Sequence, residues 1–450
     1  MKKLPTSPIS IFIDENPIHL ELSKYSDYSA QQILSLCALP LVHFNEDKLE
    51  TLAAESWSTN DNFTEFHFTL KNNLRWSDGL PVSSKNYLDS FRKVLENPNN
   101  RFSKVLNDLV KNEKAILIGD NKISFYLRQS NSHFPELLSL ICFSPYREDA
   151  IETNISAGAY FISEKTTDSF YLRQNPYFQT TNESLSAVNT IQFVRLPLGE
   201  SFGLKYFTES KIQRTCDTAF PYHLKDEYKD SLIEKDEKLL MLFTAGNRYT
   251  EHNKDIYQNF FNSIDKTKIS KQLFNVLQPR NSILELFGKN PNKPKPSSEN
   301  IRFKKDLIHI AYENYYPNIE VLELVKAQFQ ERNLRISFVE EEYGSRSANC
   351  HLRLEIRQSP LPSPFLFLRS WVSNRVFAEQ SGLFKEALGL FSKYQVNKDS
   401  QALIDLDNLL RKDLTSYPLF QIPSLYLQDP ILSTNNTFQP GHMWNYNDLT

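Results

Sequence analysis

LAAESWSTNDNFTEFHFTLKNNLRWSDGLPVSSKNYLDSFRKVL, residues 52–95, is the stretch whose reading decides the fold. Phe66, Phe68 and Leu70 alternate with Glu65, His67 and Thr69, and Phe63 precedes them. A period of two lines one face with rings, as in a half-buried strand. Asn72-Asn73 and Ser77-Asp78-Gly79 then supply turn residues, the glycine being free to take a positive φ. Ser83 is placed to cap a helix by accepting an orphan amide of its first turn. Beyond it Tyr87, Leu88, Phe91, Val94 and Leu95 recur at helical spacing and form one apolar face to lay on a sheet. Each piece is common alone; their order and spacing together are specific.

The whole chain sets wider bounds. Its 450 residues exceed what one hydrophobic core serves, so two or three domains are expected. With 32 Phe and 21 Tyr it is rich in ring surface for burial and for a ligand cleft. Lys and Arg number 51 against 54 Asp and Glu, a net charge of −3 that gives no electrostatic reason to expect nucleic acid. Only 11 glycines, with neither a P-loop nor a GxGxxG, weigh against a phosphate-cradling loop. Cys37, Cys142, Cys216 and Cys350 are scattered, with no CxxC or HExxH, so no zinc site, redox pair or other cofactor is expected, and buried free thiols are.

No stretch approaches 18 apolar residues, and no membrane span is expected. Met1-Lys2-Lys3 is followed by LPTSPISIFIDENP, which lacks the apolar run of a signal peptide; ISIFI reads as the first strand. An envelope and a cytoplasmic location both stay open.

Ala54-Glu55-Ser56-Trp57, FHFTLK, Trp76-Ser77-Asp78-Gly79, Pro81-Val82-Ser83 and the Tyr87/Phe91 pair, in that order, resemble a signature of the peptide-type solute-binding proteins of ABC importers (family 5, cluster C). The resemblance continues at Gly158-Ala159-Tyr160, at FYLRQNPYF (170–178), at DIYQNFFNSIDKTKI (255–269, read as one helix), over the helix-and-strand unit 319–343 and at 399–427. At 207–220 the family's helix and strand have only the weak counterpart KIQRTCDTAF. The resemblance implies an α/β, two-lobed periplasmic-binding-protein-like fold (type II) with an additional small domain and a hinged cleft. Its implied partition is lobe I from 1–42, 157–238 and 425–450, the small domain from 43–156, and lobe II from 239–424.

The same resemblance implies an oligopeptide or other small solute held through its main chain, ABC permease subunits as partners, a monomer, and a periplasmic or cell-envelope site of action. By position it places Ala38 and Leu39 after the first helix, and Arg353, Glu355, Arg357, Gln358, Ser359 and Trp371 in the second lobe, at the ligand. No acid stands where peptide binders of this type pair the ligand's amine, unless Glu355 serves through a shifted register, and a buried ammonium without counter-charge is costly. Arg353 and Arg357 favour an anionic group instead.

Two rival readings follow. One is a family relative that binds a non-peptide or anionic ligand, or a cytoplasmic ligand-sensing domain. The other is a serine hydrolase, since Gly199-Glu200-Ser201-Phe202-Gly203 matches GxSxG and His223, His252, His309, His351 and His442 follow it. A plain turn is the preferred reading of that motif, so no catalytic residue is assigned. Trp57 and Trp76 are expected as core rings of the small domain, and Trp371 as either core or pocket.

Overall fold

Ile9–Ile13, the first strand, is buried along its whole length because both its sheet edges are covered. It runs parallel to Thr190–Arg195, which continues antiparallel through Ser169–Gln174 to Tyr160–Lys165. On its other edge Arg214 contributes a single parallel bridge, so the weak segment after 207 yields a bridge where a strand was anticipated. This computed structural model describes residues 8–25, 27–45, 48–98, 100, 102–110, 116–119, 121–178, 188–195, 203–216, 220–250, 253–289, 303, 306–342, 345–372 and 382–433.

The helix Tyr28–Cys37 packs on this first sheet, its N-terminus capped by Asp27 accepting from the Ala30 amide at 2.7 Å. Gly158 crosses so close to that helix's end that an added Cβ would lie 2.4 Å from the Cys37 carbonyl carbon. Only glycine permits this approach.

The small domain follows the opening stretch closely. Ala54–Thr59, Glu65–Leu70, Lys122–Tyr126 and Ile116–Ile118 form an antiparallel sheet in that spatial order. The helix Ser84–Glu96 lies on it, with Ser83 and Asn86 bonded reciprocally at its start (Ser83 N to Asn86 Oδ1, 2.9 Å). Phe91 meets Phe125 at 4.9 Å and Phe143 at 5.0 Å, and Phe134 meets Phe66 at 5.2 Å. Rings buried this way contribute about 1.5–3 kcal/mol each. Trp76 is a core ring as expected, but Trp57 is 38% exposed. Its strand is the sheet's edge, so the indole lies over Phe68 with its outer side in water.

The largest sheet has six strands, in the order Gln278–Pro279, Ser416–Leu427, Leu232–Ala245, Leu352–Gln358, Leu307–Glu313, Arg335–Glu341. Met241 and Phe243 face a core built with the helices Lys254–Asn262, Lys266–Gln272 and Asn318–Phe329. The first two were read as one helix. Asp265 breaks it by accepting from the Lys268 amide at 2.9 Å and capping a new start.

Leu240 and Leu242, on the opposite face, enter a second core. It runs continuously from Phe66 and Phe134 of the small domain through Phe365 and Trp371 to Phe391 and Leu406. The small domain is therefore packed directly on the helices Phe365–Val372, Phe384–Asn397 and Ser400–Asp413. Polar contacts reinforce that junction: Ser132 N donates to the Gln395 carbonyl at 3.1 Å, and Glu136 pairs with Lys398 at 2.6 Å.

Candidate functional site

Two strands, Leu232–Ala245 and Ser416–Leu427, are unusually long and pair from Leu232–Leu427 to Thr244–Ser416. Their first ends approach the first sheet, where Gln428 bridges to Arg214, and their far ends lie in the six-stranded sheet. Such a two-stranded ribbon is a physical hinge: it bends and twists without losing its ladder. The register shifts between Lys235 and Leu239, so Asp236, Glu237 and Lys238 bulge out, with Lys238 at φ 53°. The boundary expected at 238/239 falls at this bulge, inside one continuous strand.

The bulge gathers three elements. The Tyr28 hydroxyl of the first helix donates to Glu237 Oε2 at 3.3 Å. Gln358 Nε2 reaches the Glu237 carbonyl at 3.4 Å, and the Ser359 amide donates to the Lys238 carbonyl at 3.1 Å. Asp236 accepts from Gln421 Nε2 at 2.6 Å. Gln358 and Ser359 therefore meet the first helix through the hinge. Glu237 is only 7% exposed, an acid at the inter-lobe junction that the sequence reading did not single out. Its one signal was the charged run Lys235-Asp236-Glu237-Lys238 breaking an otherwise apolar strand.

Arg353, Glu355 and Arg357 line one face of Leu352–Gln358, while Leu352 and Leu354 point into the opposite core. Arg353 pairs with Glu341 and donates to the Ala348 carbonyl at 3.1 Å. Glu355 accepts from Arg357 at 2.7 Å and lies 3.4 Å from Arg346. Burial works to raise the Glu355 carboxyl, but Arg357 and Arg346 outweigh it and hold the group below the usual range. Glu355 is thus an ionised acid already matched by two guanidinium groups. Across the patch Arg346, Arg353 and Arg357 face two acids, Glu341 and Glu355, leaving one positive charge in excess.

The remaining expected site residues lie elsewhere. Ala38 and Leu39 are buried, the Leu39 amide donating to Ser144 Oγ at 3.0 Å and its carbonyl accepting from the Tyr87 hydroxyl at 2.9 Å. Both Leu39 main-chain groups are thereby committed to the small domain. Ser359 Oγ donates to the Leu361 carbonyl at 2.6 Å. Trp371 is 2% exposed and sits in the joint core beside Phe367, so of core and pocket the structure places it in the core.

Ser201, His252 and His442 fall outside the described residues. Gly203, the motif's last residue, takes φ 74° and opens a short helix, Leu204–Thr208. His309 and His351 stack on each other at 5.2 Å in the six-stranded sheet, and Ser337 Oγ is 2.6 Å from His309 Nδ1. All four cysteines are buried free thiols. Among the described residues no acid, cysteine and histidine cluster suits a metal ion, and no helix is long and apolar enough to cross a membrane.

Hinge ribbon, two α/β lobes and interposed small domain define a class, that of the family 5 extracellular solute-binding proteins, and residues 48–195 match the middle region described for that bacterial family. Among individual relatives, a putative binding protein of Haemophilus influenzae is 26% identical over 192 residues, which cover 37% of this chain and 37% of that protein. The chain thus matches well under two thirds of that relative's length. The murein tripeptide binding protein MppA of Escherichia coli superposes with a TM-score of 0.76 at 14% identity, over 96% of this chain and 95% of that one. The OppA of Haemophilus influenzae in complex with the peptide RPPGFSPFR gives 0.73 at 14% identity, over 96% and 95%. These superpositions establish the fold, and the solved relatives named are binding proteins.

Proposed function

We propose that this chain is the solute-binding component of an ABC importer, closing about its hinge on an extended oligopeptide. The long ribbon with its bulge at Asp236–Lys238 carries the reading, because it couples the position of the first helix to the end of strand Leu352–Gln358. Fold likeness to peptide-binding relatives supports the substrate class. On this reading the rigid parts are lobe I (1–42, 157–238, 425–450), the small domain (43–156) and lobe II (239–424), acting as a monomer with permease subunits outside the cytoplasmic membrane. Gln358, Ser359 and the Arg353–Arg357 face lie at or beside the ligand. Free peptide main chain supplies donors and acceptors that every sequence shares, so side-chain selectivity is low. No bond is made or broken, and no catalytic group is assigned.

The guanidinium excess at Arg346, Arg353 and Arg357 favours a second reading, in which the ligand presents a carboxylate or other anion to that face. Thermal melting with peptides of two to five residues tests the first. A ligand at a hundredfold its Kd adds about 2.7 kcal/mol of stability. A flat response to neutral and basic peptides with a rise for acidic ones selects the second reading; a flat response to all removes both.

A further inference from the structure

We propose that the seam between the first lobe and the small domain holds a second ligand pocket, which takes a small carboxylate on an apolar body. The cavity encloses about 90 Å³, and every residue lining it lies between Leu20 and Lys165. It therefore shares no wall with the hinge ribbon or with Arg353–Ser359, and the proposal does not depend on the peptide reading.

Two hydrogen-bond donors in its wall have no partner among the described residues: Trp76 Nε1 and Arg147 Nη1. Trp76 is 3% exposed, so its indole N–H has no ready access to bulk water. A buried donor left unmade costs about 1–3 kcal/mol, which an oxygen seated in the cavity offsets. Arg147 lies over the indole, its guanidinium carbon 5.1 Å from the ring centroid. Its Nη2 is held by Asp78 at 2.7 Å and its Nε by Asp149 at 2.6 Å. That clamp fixes the planar fork and leaves Nη1 beside the ring, so the two vacant donors belong to one rigid unit.

Charge and lining define the rest of the ligand. Lys93 and Lys165 also line the cavity, whereas its one acid, Glu21, is held by Lys24 at 2.6 Å. The local field thus favours an anion, and two donors beside a guanidinium suit a carboxylate. Leu20, Leu34, Ile155 and Ile162 make the remaining wall apolar. At about 30 Å³ per water, the space equals roughly three waters, which admits a short aliphatic chain or one ring edge-on and excludes a peptide.

The test is titration calorimetry of the full chain with butyrate and benzoate, and with butyramide and benzamide as neutral isosteres. The variants are Trp76→Phe, which keeps the ring and deletes the donor, and Arg147→Gln. We expect one saturable site for at least one acid, at least tenfold weaker for its amide and at least tenfold weaker in each variant, with peptide affinity unchanged. No saturable binding by any of the four compounds means that only water fills the cavity and overturns the proposal, as does binding indifferent to both substitutions. Equal affinity for acid and amide overturns the carboxylate assignment. Circular dichroism melts establish that the variants fold; should Trp76→Phe not fold, the more accessible Arg147→Gln decides.

Discussion

The Tyr28 hydroxyl donates to the Glu237 carboxylate across 209 positions of chain, tying the first helix to the hinge bulge. Charged acceptors strengthen such a bond to about 1.5–3 kcal/mol where it is dry, and at 3.3 Å this one belongs at the lower end. Tyr28→Phe should therefore lower unfolding stability by about 1 kcal/mol and shift the apparent affinity for the cleft ligand, because the bond biases lobe closure. Urea denaturation with and without ligand measures both. Identical midpoints in the two proteins would remove Tyr28 from the hinge.

Acid should loosen the junction between the small domain and the second lobe. Burial works to raise the Glu136 carboxyl, but His133 and Lys398 overcome it and bring the group down to about 2. A carboxyl depressed in the folded state stabilises fully above its unfolded value, 4.5, and loses that contribution as pH falls towards 2. Glu136→Gln should flatten the acid limb of the stability profile between pH 5 and 2, by on the order of 2 kcal/mol. A variant with the wild-type slope there would show that other carboxylates carry the acid response.

Two glycines separate close approach from idle flexibility. Gly158→Ala would set a Cβ 2.4 Å from the Cys37 carbonyl carbon, and backbone on both sides cannot yield cheaply. A loss of about 1–3 kcal/mol is expected. Gly389, inside the helix Phe384–Asn397, has nothing within 4 Å of such a Cβ. Gly389→Ala should gain about 0.5–1 kcal/mol through helix propensity and a less flexible unfolded chain. Melting curves of the two single variants should move in opposite directions.

What could be read from residues alone divides by range. Residues 65–96 were legible because alternation, turn residues and the Ser83 cap act within a few positions. Asp265 capped a second helix inside a pattern that periodicity read as one, a local signal masked by the apolar residues on either side. The site was harder. Leu39 is committed by Ser144, 105 residues away, and by Tyr87, 48 away, so its availability is a tertiary fact. The Asp236–Lys238 bulge exists only because two strands some 180 positions apart fall out of register, which no local pattern encodes. Trp371 had the same ambiguity: an apolar helix reads alike whether its neighbour is ligand or the small domain.

The Arg353–Glu341 pair offers a sharper test of the charged face, since both side chains are buried, at 9% and 5% exposed. Removing one partner strands the other charge away from water, a loss of about 3–5 kcal/mol, whereas replacing both with apolar groups of similar size is often neutral. Arg353→Met alone should therefore be strongly destabilising, and Arg353→Met with Glu341→Leu should recover most of the loss. The double variant also leaves the surplus charge untouched, because one cation and one anion leave together. Its preference between acidic and basic peptides should then match the parent's, while Glu355→Gln, which unmasks Arg346 and Arg357, should shift it towards acidic ones. Calorimetry on matched acidic and basic peptides reads the two effects separately. A selectivity unmoved by Glu355→Gln would place the ligand away from this face.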